Sequence, residues 1–73
     1  MLPSGILETR GRFRVGDPVH CLDENEEPFA AGLVNYSSED VKKLQGHHST
    51  KIKEILGYVD SEEIIHRDNL VIL

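Results

Sequence analysis

The chain of 73 residues has few of the staples that small proteins rely on. Cys21 is its single cysteine, so no disulfide can close within it, which fits a reducing compartment. The longest apolar run is the short "LVIL" of residues 70–73, so no segment is expected to span a membrane. The opening "MLPSGILE" has neither the basic flank nor the apolar stretch of a secretory signal, and the expected location is the cytoplasm. Aromatics are also scarce. Phe13, Phe29, Tyr36 and Tyr58 stand apart and form no base-stacking run. Positive charge is outweighed, with 8 Lys and Arg against 13 Asp and Glu for a net charge of −5. Such a chain repels polyanions as a whole, so contact with nucleic acid requires a local basic patch.

Most catalytic signatures are missing too. No glycine-rich loop has Walker or dinucleotide spacing, and the glycines of "SGILETRG" and "VGDP" read as turn residues. His66-Arg67-Asp68 matches the triplet of protein-kinase catalytic loops. That chemistry also needs a phosphate cover, a strand lysine, an Asn five residues after the Asp and a magnesium-binding Asp, none of which is here. The triplet therefore reads as a polar corner, with Asp68-Asn69 turning or capping the chain before a last strand. His20, Cys21, His47, His48 and His66 lack metal-ligand spacing, so no metal is expected. Alternation puts Cys21 in the core rather than at a nucleophilic site. No catalytic or cofactor-binding residue is assigned, and no cofactor is expected.

What is present reads as one small domain, mostly β with two short helices. Phe13 and Val15 alternate with Arg12 and Arg14, as in a half-buried strand. "VGDP" turns the chain, and Pro18 opens a strand in which Val19 and Cys21 face inward and His20 outward. The acidic stretch at 23–28 then makes a hairpin with "FAAGLVNY". From Ser37 the signals are helical: Ser37 as N-cap, Glu39 and Asp40 in the first turn, Val41 and Leu44 on one face, Gly46 as the stop. "STKIKEILG" repeats the plan with Ser49 as N-cap, Ile52, Ile55 and Leu56 as the apolar stripe, and Gly57 as the stop. Ile64 and Ile65 return to strand, and "LVIL" is expected as a buried, central one.

Two basic groups are candidate RNA or phosphate contacts: Arg10, Arg12 and Arg14, or Lys42, Lys43, Lys51 and Lys53. An anion held at a helix start near Ser37 or Ser49, with His47 or His48, is a more generic option.

"LPSGI", "GRFRVGDPV", "AAGLVNYSSEDVKKLQGHHSTKIKEILGY" and "IIHRDNLVIL" together resemble the C-terminal PUA domain of bacterial glutamate 5-kinases over nearly the whole chain. "GLVNYSS", "LGY" and "HRDNLVIL" are the specific parts, whereas F-x-x-GD-x-V (Phe13, Gly16, Asp17, Val19) is common to PUA domains generally. The resemblance implies a PUA-like pseudo-barrel with short helices. It implies a parent enzyme that phosphorylates the γ-carboxylate of glutamate with ATP, opening proline biosynthesis, through an N-terminal amino-acid-kinase domain. No catalytic position carries over to these residues. PUA domains of RNA-modifying enzymes bind RNA, and an RNA role here is an expectation from the fold. The family's domain starts earlier, with a first strand and helix. Residues 1–73 are therefore expected to be a single partial PUA domain, incomplete at its N-terminus, with open barrel edges. Two functions follow: a non-catalytic RNA-binding or regulatory module, or a docking module for an amino-acid-kinase domain or a second copy.

Overall fold

The structure is a computed structural model that describes residues 1–73 throughout. Three strands, β1 (Pro18–Leu22), β2 (Pro28–Leu33) and β3 (Leu70–Ile72), form one antiparallel sheet in the order β1-β2-β3. Helices α1 (Ser38–Leu44) and α2 (Ile52–Leu56) lie between β2 and β3 in sequence. Single 3₁₀ turns occur at Pro3–Gly5, Ser49–Lys51 and Arg67–Asn69.

The β1–β2 hairpin forms where the turn chemistry places it. Asp23 Oδ1 accepts the backbone N–H of Asn25 at 2.9 Å and of Glu27 at 3.0 Å, closing the acidic loop. A register shift between Cys21 and Leu22 marks a β-bulge at its tip. Val19 and Cys21 turn to the core and His20 to solvent, as the alternation predicts. Val34 N–H donates to Asp17 C=O, so Val19 and Cys21 make the ladder bonds to β2, and the backbone groups of Pro18, His20 and Leu22 point away from it. Proline suits the first such position because it has no N–H to leave unpaired.

Helix α1 follows its sequence signals. Ser37 Oγ accepts the Asp40 N–H at 3.3 Å, Val41 and Leu44 are buried, and Gly46 turns the chain out at φ 79°. Gly57 ends α2 in the left-handed conformation, φ 83°, which a side chain disfavours. The core joins both helices to the sheet and to the tail: Ala30, Val34, Tyr36, Val41, Leu44, Ile52, Ile64 and Ile65 are all buried.

Three expectations fail. Residues 13–15 form no strand. Phe13 N–H and C=O are taken by Ser38, and Arg14 N–H by the Asp17 carboxylate at 2.8 Å, so turn and helix contacts replace a ladder and leave Val15 exposed. Ser49 does not cap the second helix. It sits inside the 3₁₀ turn, whose N-cap is His48, with Nδ1 accepting the Thr50 N–H at 3.2 Å. The "LVIL" tail is neither central nor buried. β3 pairs with β2 alone, and Val71 and Ile72 stay 61% and 71% exposed, while the burial falls on Ile64 and Ile65, which are irregular rather than strand.

Candidate phosphate-binding surface

Members of the two basic groups that appear separate in sequence, Arg12 and Arg14 of one and Lys42 of the other, meet in space. The reason is Ser38, a buried polar side chain at the start of α1. Its Oγ accepts the Phe13 N–H at 3.2 Å and donates to the Phe13 carbonyl at 3.3 Å, while its own N–H donates to the same carbonyl at 3.0 Å. The "RFR" stretch is thereby fixed against the first turns of α1, where Lys42 projects. Between them lies an open concavity of about 650 Å³ walled by Arg12, Arg14 and Lys42, with Gly11 and Ser37 on its lining.

Asp17 and Glu39 line it too, so three cations face two carboxylates. One of those carboxylates is engaged, since Asp17 Oδ2 accepts the Arg14 N–H. The guanidinium and ammonium groups are donors only, suited to phosphate oxygens. Sequence reasoning had no local signal for this union, because Phe13 and Ser38 lie 25 residues apart.

The other candidates lie outside the concavity. Arg10 is spent on Glu8 and Glu26, whose hydrogen bonds raise its pKa and hold it charged. Lys51 pairs with Glu54 at 3.3 Å, and neither Lys43 nor Lys53 lines the surface. His66 caps the 3₁₀ turn ahead of β3: its Nδ1 accepts the Asp68 N–H at 3.1 Å, and its ring lies within 3.8 Å of a Glu63 carboxylate oxygen. The polar-corner reading of the triplet holds: Asp68 and Asn69 lie in the turn Arg67–Asn69, and His66 supplies its cap. Burial pushes the Cys21 thiol up, away from the thiolate a nucleophile needs. No group of three His, Cys, Asp or Glu is gathered to hold a metal ion, and no helix is long and apolar enough to cross a membrane.

A second polar centre escaped sequence reasoning. Tyr36 is fully buried, and its Oη accepts the N–H groups of Asp60 at 3.1 Å and Ser61 at 2.9 Å while donating to the Ser61 carbonyl. Tyr58, with its ring 6.2 Å from that of Tyr36, donates its hydroxyl to Asp40 on α1. That bond comes first among the causes that raise the Tyr58 phenol to about 12. These contacts tie the loop after α2 to α1.

A small antiparallel sheet, two short helices and a GD turn leading into β1 define a β-rich pseudo-barrel module. The family described as the PUA domain matches residues 1–56, and the chain belongs to it. Its curated relatives narrow the kinship further. Over all 73 residues it is 52% identical to the glutamate 5-kinase of Nitrosococcus oceani, 51% to that of Syntrophus aciditrophicus and 45% to that of Picosynechococcus sp.. Each alignment covers 100% of this chain and 19–20% of the relative, so the chain spans about a fifth of their length.

Proposed function

We propose that residues 1–73 act as a single non-catalytic PUA module of a glutamate 5-kinase-like protein, and that the module holds the phosphate backbone of structured RNA through Arg12, Arg14 and Lys42. The observation that carries this reading is their convergence on one concavity. The larger protein's phosphotransfer to glutamate belongs to this proposal and needs no residue of the module. Phosphate contacts position a nucleic acid without reading its bases, which suits a surface with no exposed aromatic run. Three neutralised phosphates on a duplex stem give a salt slope of about −2.7, so raising salt from 50 to 200 mM should weaken binding roughly 40-fold. Anisotropy of a labelled hairpin RNA tests this at both concentrations. R12A/R14A/K42A should lose most of the affinity, and K53A should retain it. Absence of binding at 50 mM salt would sink the proposal.

A second reading, docking without nucleic acid, is favoured by a different observation. The solvent face of the sheet presents Phe29, Leu33 and Val71, all more than 40% exposed.

A further inference from the structure

One side chain on the wall of the phosphate-binding concavity works against the phosphate held there. Arg12, Arg14 and Lys42 make no ion pair, so all three are open to an anion. Asp17 is committed to its turn: its Oδ2 accepts the Arg14 N–H, its own N–H donates to the Arg14 carbonyl, and its carbonyl accepts the Val34 N–H. Glu39 has no such task. It stands exposed in the first turn of α1, and its carboxylate takes part in no ion pair. Glu39 and Lys42 are three residues apart, which puts both on the face of α1 that meets the "RFR" stretch, about 5–6 Å apart at Cβ. A carboxylate about 6 Å from a bound phosphate weakens its binding about threefold in water. Carboxylate and phosphodiester are both acceptors only, so the phosphate itself cannot satisfy it.

The donor that lies beside a backbone phosphate is the ribose 2′-hydroxyl, which RNA has and DNA lacks. In an A-form stem these hydroxyls are displayed on the wide, shallow minor groove, within reach of a side chain that borders the phosphates. A hydrogen bond from a hydroxyl to a charged acceptor is worth about tenfold or more in binding, which exceeds the threefold cost of repulsion. The effect of Glu39 therefore changes sign with the sugar: favourable where the hydroxyl is present, unfavourable where it is missing. We propose that Glu39 accepts the 2′-hydroxyl of the ribose next to the phosphate held by Arg12, Arg14 and Lys42, so that the concavity selects RNA over a backbone without that hydroxyl. This inference rests on the phosphate-binding reading and adds what phosphate contacts alone lack, a means of telling one nucleic acid from another.

The probes are two fluorescein-labelled hairpins of one sequence. One is RNA, and the other carries 2′-fluoro in place of every stem 2′-hydroxyl, which keeps the A-form and removes the donor. Anisotropy at 50 mM salt should show the chain binding the RNA about tenfold more tightly. E39A should bring the two affinities within about twofold, partly by strengthening the 2′-fluoro complex about threefold. E39Q keeps an acceptor oxygen without the charge and should show an intermediate preference, while R12A/R14A/K42A should weaken both hairpins alike. Glu39 is exposed and without a partner, so an unchanged far-ultraviolet spectrum is expected of E39A and E39Q. Equal binding of the two hairpins by the unaltered chain, or a tenfold preference that survives E39A, overturns the inference and leaves the phosphate reading intact. If neither hairpin binds, both fall together.

Discussion

Gly32 shows how tightly one residue can be fixed by contacts that are remote in sequence. A Cβ added there would stand 2.6 Å from the Asn69 carbonyl oxygen and 2.7 Å from Ile65 Cγ2. Backbone and a buried isoleucine cannot both retreat, so G32A should cost about 1–3 kcal/mol, read as a lower denaturant midpoint at unchanged slope. Tyr58 gives a spectroscopic counterpart. Its phenol, raised to about 12 by the bond to Asp40, should titrate at 295 nm well above the ordinary tyrosine near 10, and D40N should bring it back down. The folded form is the one with the raised value. The bond therefore contributes fully below pH 10, and its contribution is lost as pH rises from 10 through about 12.

At the scale of elements, the helices test local chemistry. S37A removes the acceptor for the Asp40 N–H and should cost about 1 kcal/mol. G57A forces a side chain into a left-handed position and should cost a similar amount, about 1 kcal/mol. Thermal unfolding of the two variants checks both. These are the parts legible from sequence, because caps, first-turn acids and stop glycines act within a few residues. The hairpin was legible for the same reason, its loop being closed by Asp23 on its own neighbours. Residues 13–15 misled because alternation reports which positions alternate and does not report whether a partner strand lies alongside. Ser38, 25 residues away, claimed the Phe13 backbone instead. The tail misled in the opposite sense: four consecutive apolar residues look buried, yet burial needs cover on both faces, and β3 has a neighbour on one side only. The candidate surface was half legible. Its cations were named from sequence, but their convergence on one concavity depends on a tertiary contact.

For the whole molecule, a Cα radius of gyration of 11.3 Å matches the ~11 Å expected of a compact chain of this length. Compactness here coexists with exposed apolar strands, since Leu33, Val71 and Ile72 remain largely open. If the sheet face docks onto a second copy, sedimentation should show mass rising with concentration, and V71K should abolish that rise. A monomer at all concentrations would count against docking between copies and leave the RNA reading as the stronger one. The RNA and docking readings are separable in one preparation, because salt weakens the first and V71K affects only the second.

The placement of Ile64 and Ile65 also governs when the protein can exist at all. They close a core whose other members, Cys21 and Ala30 through Ile52, are made before them. Asn35 N–H must wait for the Ile64 carbonyl, and Gly32 packs against a turn at Asn69. On the ribosome, the hairpin and α1 therefore emerge without a lid for their apolar faces. The core can be completed only once Ile64 and Ile65 have left the exit tunnel, as a late step that follows the hairpin and both helices.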